Sequence, residues 1–357
     1  MSDFYITSNK ALQEIVDLAR AKKTIALDTE FTRERTYYPI LSLVQVAIDK
    51  KVFVVDCLAD VDLQPLYNII ADTEIKKILH SSAQDLQIFH QQSQKAPVNV
   101  ADVQLMANFC GLGFNVGYSN LVEQLFQISV DKKMQCSDWQ QRPLNARQIE
   151  YAMLDVTYLE EIHAKLSEDL RQKKRDKWFL EEIENFVPKV LTKDENVLFK
   201  NFSAQKKFGR KDPRQIAKIR GLILWREKVA QALDVPRRHF LDDDALEEIV
   251  MLEKFHHKID NKMRREIEEI LLDCEKQEHP LQAEERNNVM SEKQKAKYQR
   301  AKDLIERVAL GENIREQFLM TSSDLKEVIL GNKNLENLVA GWRYFLFGRD
   351  LQKIINS

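Results

Sequence analysis

The sequence predicts an α/β domain built on a mixed sheet, followed by a purely helical second half. Three observations carry that reading. Short apolar runs bounded by polar residues recur through the first hundred residues, with helical patterns between the later ones. From Asn145 onward apolar residues keep a three-to-four spacing almost without interruption. Nine glycines and eight prolines in 357 residues are too few for a turn-rich all-β chain or a low-complexity repeat. With 44% hydrophobic side chains the chain is too apolar to be mostly disordered, and at ~150 residues per domain it has room for two or three domains.

Thr24 to Leu27 reads as a short buried strand that ends abruptly in acid. Leu41 to Ile48 is a second strand and Lys51 to Asp56 a third; only Asp49-Lys50 separates them, which predicts a hairpin. Lys76 to His80 is a fourth strand, and 97–100 a weaker fifth. Helices are expected over 63–71, 83–91 and 102–109. A hairpin followed by strand–helix–strand units implies a mixed sheet with helices on its faces. Ile149, Ala152, Val156, Leu159 and Leu166 then mark one long helix. A polar connection over 191–205 is the expected domain boundary, and loops are expected near Pro236, Pro280 and Gly311.

The charge divides at that boundary. Residues 1–195 hold 23 Lys/Arg against 29 Asp/Glu, whereas residues 196–357 hold 31 against 27. Residues 196–238 alone carry 12 basic and 3 acidic side chains. The formal net charge of −2 therefore conceals a locally basic region joined to an acidic first domain, a division suited to a polyanion. A solvated helix face would give the same count. No apolar run reaches the ~18 residues of a membrane span, and the first residues lack a signal-peptide pattern. Four scattered cysteines, without C-x-x-C or zinc spacing, predict reduced thiols in a cytoplasmic protein.

Several carboxylates ask for an explanation. Asp28 and Glu30 are two apart on a strand and so project to the same side. Tyr151 and Asp155 are four apart and share a helix face. Asp85 lies in a first helical turn after a strand, and strand-to-helix junctions gather along one sheet edge. Each has an ordinary structural reading in isolation. Gathered in one crevice, the four acids would need cations, and oxygen ligands select Mg2+ or Mn2+. Two such ions are the usual device for in-line phosphodiester hydrolysis, with a Tyr hydroxyl well suited to orient the water.

At these residues the sequence resembles the ribonuclease D family, within the DEDDy group of 3′→5′ exonucleases. Its motifs match Leu27-Asp28-Thr29-Glu30-Phe31, His80-Ser81-Ser82-Ala83-Gln84-Asp85-Leu86 and Tyr151-Ala152-Met153-Leu154-Asp155, with Ser137-Asp138-Trp139 and Arg142-Pro143-Leu144 upstream of the last. Gln84 departs from the acid that family members often carry there. Residues around Leu222 to Glu227 and Pro236-Arg237-Arg238 resemble an HRDC domain, and Gly341-Trp342-Arg343 more faintly a second. The resemblance implies an RNase H-like exonuclease domain over 1–195 and all-α HRDC-like domains over 210–288 and 291–357.

It also implies roles. Asp28 would bridge two divalent ions. Glu30 and Asp155 would complete the water-activating ion, and Asp85 would hold the second. Tyr151 would position the water. Phe31 would either stack on the terminal nucleotide or pack in the core. Gln45 and His80 would either contact substrate or make structural hydrogen bonds. Lys206, Lys207, Arg210 and Lys211 would contact the RNA backbone. The implied activity is trimming of tRNA precursors and other structured RNAs to release nucleoside 5′-monophosphates. With no interface signal evident in the sequence, a monomer without an obligate protein partner is expected. The competing expectations are a DNA exonuclease of the same group, which a matched DNA substrate would reveal, and a catalytically silent RNA scaffold, against which the intact motif residues argue.

Overall fold

A computed structural model describes residues 4–130, 137–192, 198–199, 213–276 and 290–357. The chain forms two compact units, one from residues 1–32, 41–192 and 289–357, the other from 33–40 and 193–288.

The first unit begins with β1 (Tyr5–Ile6), α1 (Asn9–Lys22), β2 (Thr24–Thr32), β3 (Ile40–Ile48), β4 (Lys51–Asp56) and α2 (Gln64–Ile70). It continues with β5 (Lys76–Leu79), α3 (Ala83–Ser93), β6 (Val100–Asp102), α4 (Val103–Cys110) and α5 (Tyr118–Phe126). Three helices follow: α6 (Ala146–Thr157), α7 (Leu159–Gln172) and α8 (Asp176–Leu191). The sheet order is β1-β4-β3-β2-β5-β6. β3 and β4 form the expected antiparallel hairpin, while β2, β5 and β6 run parallel. Ala26 pairs with Ile78, and Ile78 with Ala101. This register sets Asp28, His80 and Asp102 at about one level across the three strands, where β5 and β6 finish and β2 runs on.

Three local expectations change. β2 continues through Thr32, so Asp28 and Glu30 lie inside the strand; buried Leu27 and Thr29 on the alternate face keep the period going. The fifth strand falls on Val100–Asp102, beyond Pro97, which has no N–H to give a ladder. The long helix divides at Tyr158, whose N–H is taken by the Tyr118 hydroxyl at 3.1 Å. Gly311 lies in the last turn of a helix that ends at Glu312, with the expected loop directly after it, and Pro280 lies outside the described residues.

The second unit holds α9 (Pro213–Ala232), α10 (Arg237–Phe240), α11 (Asp243–Leu252) and α12 (Asn261–Lys276). Leu222, Trp225, Phe240, Leu246, Ile249 and Ile267 form its core. Arg226 and Asp243 make a buried ion pair at 2.8 Å, and Arg226 also reaches the Leu241 carbonyl at 3.0 Å. The segment 33–40 belongs to this unit: the buried Tyr37 hydroxyl donates to Glu227 and accepts from Gln231.

The closing residues of the first unit form α13 (Glu292–Glu312), α14 (Glu316–Leu319), α15 (Ser322–Ile329) and α16 (Gly341–Arg343), then a π turn over Tyr344–Gly348 and α17 (Arg349–Asn356). They share one core with the sheet and its helices. Phe109 meets Phe318 and Trp342 edge to face at 4.7 and 5.2 Å, and Trp342 stacks on Trp178 at 5.3 Å. Arg175 bonds both the Phe109 and the Glu312 carbonyls at 2.6 Å.

Gly341 has φ +52°, and a methyl there would stand 1.3 Å from Glu181 Oε1, which accepts the Trp342 N–H at 3.3 Å. Gly341→Ala should therefore lower stability by about 1–3 kcal/mol, through left-handed strain and loss of that bond. A denaturant midpoint equal to wild type would show that neither matters.

Candidate active site

The parallel strands β2 and β5 bring the site's acids to one edge, and α6 brings the remaining groups across it. Asp28 and Glu30 project from the same face of β2. β5 leads into a tight turn in which Ser81 has φ +56°, and α3 then carries Asp85 in its first turn. Asp85 is buried and accepts a hydrogen bond from the Thr29 hydroxyl. α6 starts at a full capping box between Asn145 and Gln148, which fixes the helix's first turn and hence the positions of Tyr151 and Asp155. Its buried face packs Ala152 against Leu43 and Val54 of the sheet.

Electrostatics link the four carboxylates directly. Burial, followed by the charges of Asp85, Asp155 and Glu30, pushes the Asp28 pKa well above the usual carboxylate range. Burial and the charges of Asp155 and Asp85 push Glu30 up to about 9. Burial raises Asp85 to about 7 against the opposing Thr29 bond, and raises Asp155 to about 7 against the pull of the Tyr151 hydroxyl. Burial and the charges of Asp155, Glu30 and Asp28 also push Tyr151 up, keeping its hydroxyl protonated. Among the described residues no Lys or Arg forms an ion pair with any of the four acids. Nor do any three His, Cys, Asp or Glu side chains already stand as a closed ligand set. The donors fit a hard divalent cation in chemistry, being all oxygen, anionic and mutually repelling without one.

The other expected residues are placed as follows. Phe31 is half-buried against the main core, on the strand face opposite Asp28 and Glu30. Gln45 is fully buried on β3 opposite Val54, and neither amide atom has a hydrogen-bond partner. His80 is half-buried, with Nδ1 unpartnered, its pKa lowered by burial and its ring 5.8 Å from that of Tyr118. Lys206, Lys207, Arg210 and Lys211 lie outside the described residues.

Three supporting residues escaped the sequence reading. Asp102 accepts from Ser82 N and Oγ at 2.8 Å, Ser81 N at 3.2 Å and Gln104 N at 2.8 Å, so one carboxylate caps α4 and holds the turn before Asp85. Its N-cap position was a usable signal. Thr29 faces away from Asp28 and Glu30, where a lone Thr gives no pattern. The Tyr118 hydroxyl donates to the Leu154 carbonyl at 2.8 Å, beside Asp155, a contact between α5 and α6 that no local spacing encodes.

Acids on β2 and in the helix turn after β5, crossed by a helix bearing Tyr and Asp one turn apart, agree with the class that the family match gives: a 3′→5′ exonuclease. Known 3′-5′ exonuclease domains match residues 4–171. Ribonuclease D of Jannaschia sp. (strain CCS1) is 31% identical over 371 residues, covering 99% of this chain and 95% of its own. Ribonuclease D of Bartonella henselae is 29% identical over 369 residues, covering 99% and 90%. The crystal structure of Escherichia coli RNase D, described as an exoribonuclease involved in structured RNA processing, superposes with a TM-score of 0.82 at 25% identity, covering 100% of this chain and 99% of that one. The chain belongs to the ribonuclease D family, and is a 3′→5′ exoribonuclease.

The raised pKa values set a pH dependence for the metal-free protein. Carboxylates that hold protons more tightly when folded stabilise the fold fully below the ordinary range near ~4, and lose that contribution as pH rises through about 7 to about 9. In EDTA, thermal stability should fall between pH 5 and pH 9, and Glu30→Gln should flatten the upper part of that fall. An identical profile in Glu30→Gln would remove Glu30 from the cluster.

Proposed function

We propose that this enzyme trims the 3′ ends of structured RNAs, tRNA precursors among them, one nucleotide at a time, releasing nucleoside 5′-monophosphates with the help of two divalent cations, Mg2+ or Mn2+. The observation that carries the reading is that burial raises the pKa of Asp28, Glu30, Asp85 and Asp155 alike, that the charges of the other acids raise Asp28 and Glu30 further, and that no basic partner stands among the described residues. Such a group is unfavourable in isolation and is well suited to hold cations next to a phosphate. Bound there, the ions would supply an activated water and a counter-charge for the leaving oxygen.

In this reading Asp28 would serve both ions, Glu30 and Asp155 would help hold the one that activates water, and Asp85 would help hold the other. The Tyr151 hydroxyl, kept protonated by its acidic neighbours, orients the water through a hydrogen bond. His80, directly after β5, and Gln45, enclosed on β3, are the candidates for substrate contact, each with unpartnered buried polar capacity. Phe31 is a weaker one, since it packs against the core. Lys206, Lys207, Arg210 and Lys211 supply backbone affinity and no sequence choice. The layout is an exonuclease domain over 1–195 with HRDC-like helical domains over 210–288 and 291–357. The setting is cytoplasmic; among the described residues no helix is long and apolar enough to cross a membrane.

With a 5′-labelled, 3′-tailed tRNA precursor, Mg2+ should yield stepwise shortening that EDTA stops. Asp28→Asn should lose at least ~10³-fold in kcat, and Tyr151→Phe about 10- to 100-fold, the scale of lost positioning or proton-transfer help. Faster shortening of the matched DNA would transfer the activity to DNA, and binding without shortening would leave a scaffold. Replacing Lys206, Lys207, Arg210 and Lys211 by Ala should flatten the salt dependence of RNA binding by roughly 0.7 in log–log slope per lost contact. An unchanged slope would remove these four from the RNA path.

A further inference from the structure

Resting on the reading that the Tyr151 hydroxyl orients the attacking water, we infer that Trp139 is a positioning residue for Tyr151, locked by the Arg142–Asp56 ion pair. The segment 137–144 carries none of the four acids, yet it supplies the wall against which the Tyr151 ring lies. The Trp139 and Tyr151 ring centroids are 6.0 Å apart at an interplanar angle of 32°. Trp139 is 2% exposed and sits in a small core of Leu43, Val54, Leu144 and Ala152, under α6.

The indole Nε1–H has no hydrogen-bond partner among the described residues. A buried Trp usually pairs that donor, and leaving it unpaired is unfavourable. What Trp139 supplies here is therefore the face and volume of its ring.

The surrounding turn holds that ring still. Arg142 grips Asp56 with both Nε and Nη2, at 2.8 and 2.6 Å, and its Nη1 donates to the Trp139 carbonyl at 2.7 Å. Nη2 also reaches the Ser42 carbonyl at 3.1 Å. Asp56 ends β4 and accepts from the Tyr5 hydroxyl as well, at 2.5 Å. On the other side Gln148, the capping-box residue of α6, donates to the Asp138 carbonyl at 3.2 Å. The turn is thus tied to the sheet at one end and to the first turn of α6 at the other. Tyr151, three residues after Gln148, can swing about its side-chain torsions, and Trp139 closes off the space on one side. Displacing a water-orienting hydroxyl by about 1 Å can cost on the order of 10²-fold in rate, so a wall that prevents it has kinetic weight.

A double-mutant cycle separates this role from ordinary packing. kcat and KM would be measured on the 3′-tailed RNA for wild type, Trp139→Leu, Trp139→Phe, Tyr151→Phe and Trp139→Leu/Tyr151→Phe. Trp139→Leu should lower kcat about tenfold with KM within about twofold, Trp139→Phe should restore most of the loss, and the double variant should match Tyr151→Phe alone. Arg142→Lys keeps the charge but loses the two-pronged grip, and should behave as Trp139→Leu does in the same cycle. That variant decides the matter if Trp139→Leu does not fold. A tenfold loss from Trp139→Leu or Arg142→Lys that persists undiminished in the Tyr151→Phe background would overturn the inference, because the effect would not pass through Tyr151. Failure of the underlying reading shows separately, as Tyr151→Phe turning over at the wild-type rate with no Trp139 variant involved.

Discussion

Repulsion among four carboxylates is the condition that the rest of the first unit has to meet. Two like charges about 4 Å apart in a partly buried site repel by roughly 4 kcal/mol, whereas one hydrogen bond contributes about 1 kcal/mol net. No single side-chain contact can hold such a group together. It needs groups fixed by backbone elements, and the fold provides them: two acids on one strand, one in the first turn of a helix and one on a capped helix laid across the sheet. Burial raises Asp85 and Asp155 to about 7, and burial together with the charges of Asp155 and Asp85 raises Glu30 to about 9, so the charged forms are disfavoured throughout the group.

The supporting hydrogen bonds fall where repulsion would open the site. Asp85 follows a turn that could relax outwards, and Asp102 occupies the N–H groups of both Ser81 and Ser82. Thr29, between the two β2 acids, gives its hydroxyl to Asp85 and so ties the strand to the helix start. At the other border of the sheet, Arg142 on Asp56 closes the turn before α6. These contacts differ from the acids in one respect. Each is complete within the protein, with donors and acceptors matched, while the four acids retain capacity that no described side chain fills.

Much of this was legible in the sequence because strand and helix periods are short-range. Asp28 with Glu30 and Tyr151 with Asp155 are pairs whose common face follows from spacing alone, and the hairpin followed from two residues between apolar runs. What was not legible depends on non-local geometry. β2 outlasted its apolar run because pairing with a neighbouring strand, and not hydrophobicity, sets where a strand ends. The helix break at Tyr158 depends on a hydroxyl forty residues earlier in the chain. Gln45 reads as an ordinary polar strand residue, and only the packed structure shows its amide enclosed with neither atom paired. Asp102 reads as the first residue of a helix; that it caps the helix and also holds Ser81 and Ser82 appears only once β5 and β6 lie side by side.

The last helical segment shares a core with the exonuclease sheet because a short helix joins the two. α4 is eight residues long, about 12 Å at 1.5 Å per residue. Its N-cap, Asp102, organises the turn before Asp85, while Phe109 near its other end lies between Phe318 and Trp342. The Phe109 carbonyl is held by Arg175, which also holds the carbonyl and carboxylate of Glu312. A helix this short has no stability of its own; it depends on tertiary packing. Phe318 and Trp342, more than 200 residues along the chain, thus bury one end of the helix whose other end caps the active-site turn. The closing residues are part of the scaffold that keeps four repelling acids in place.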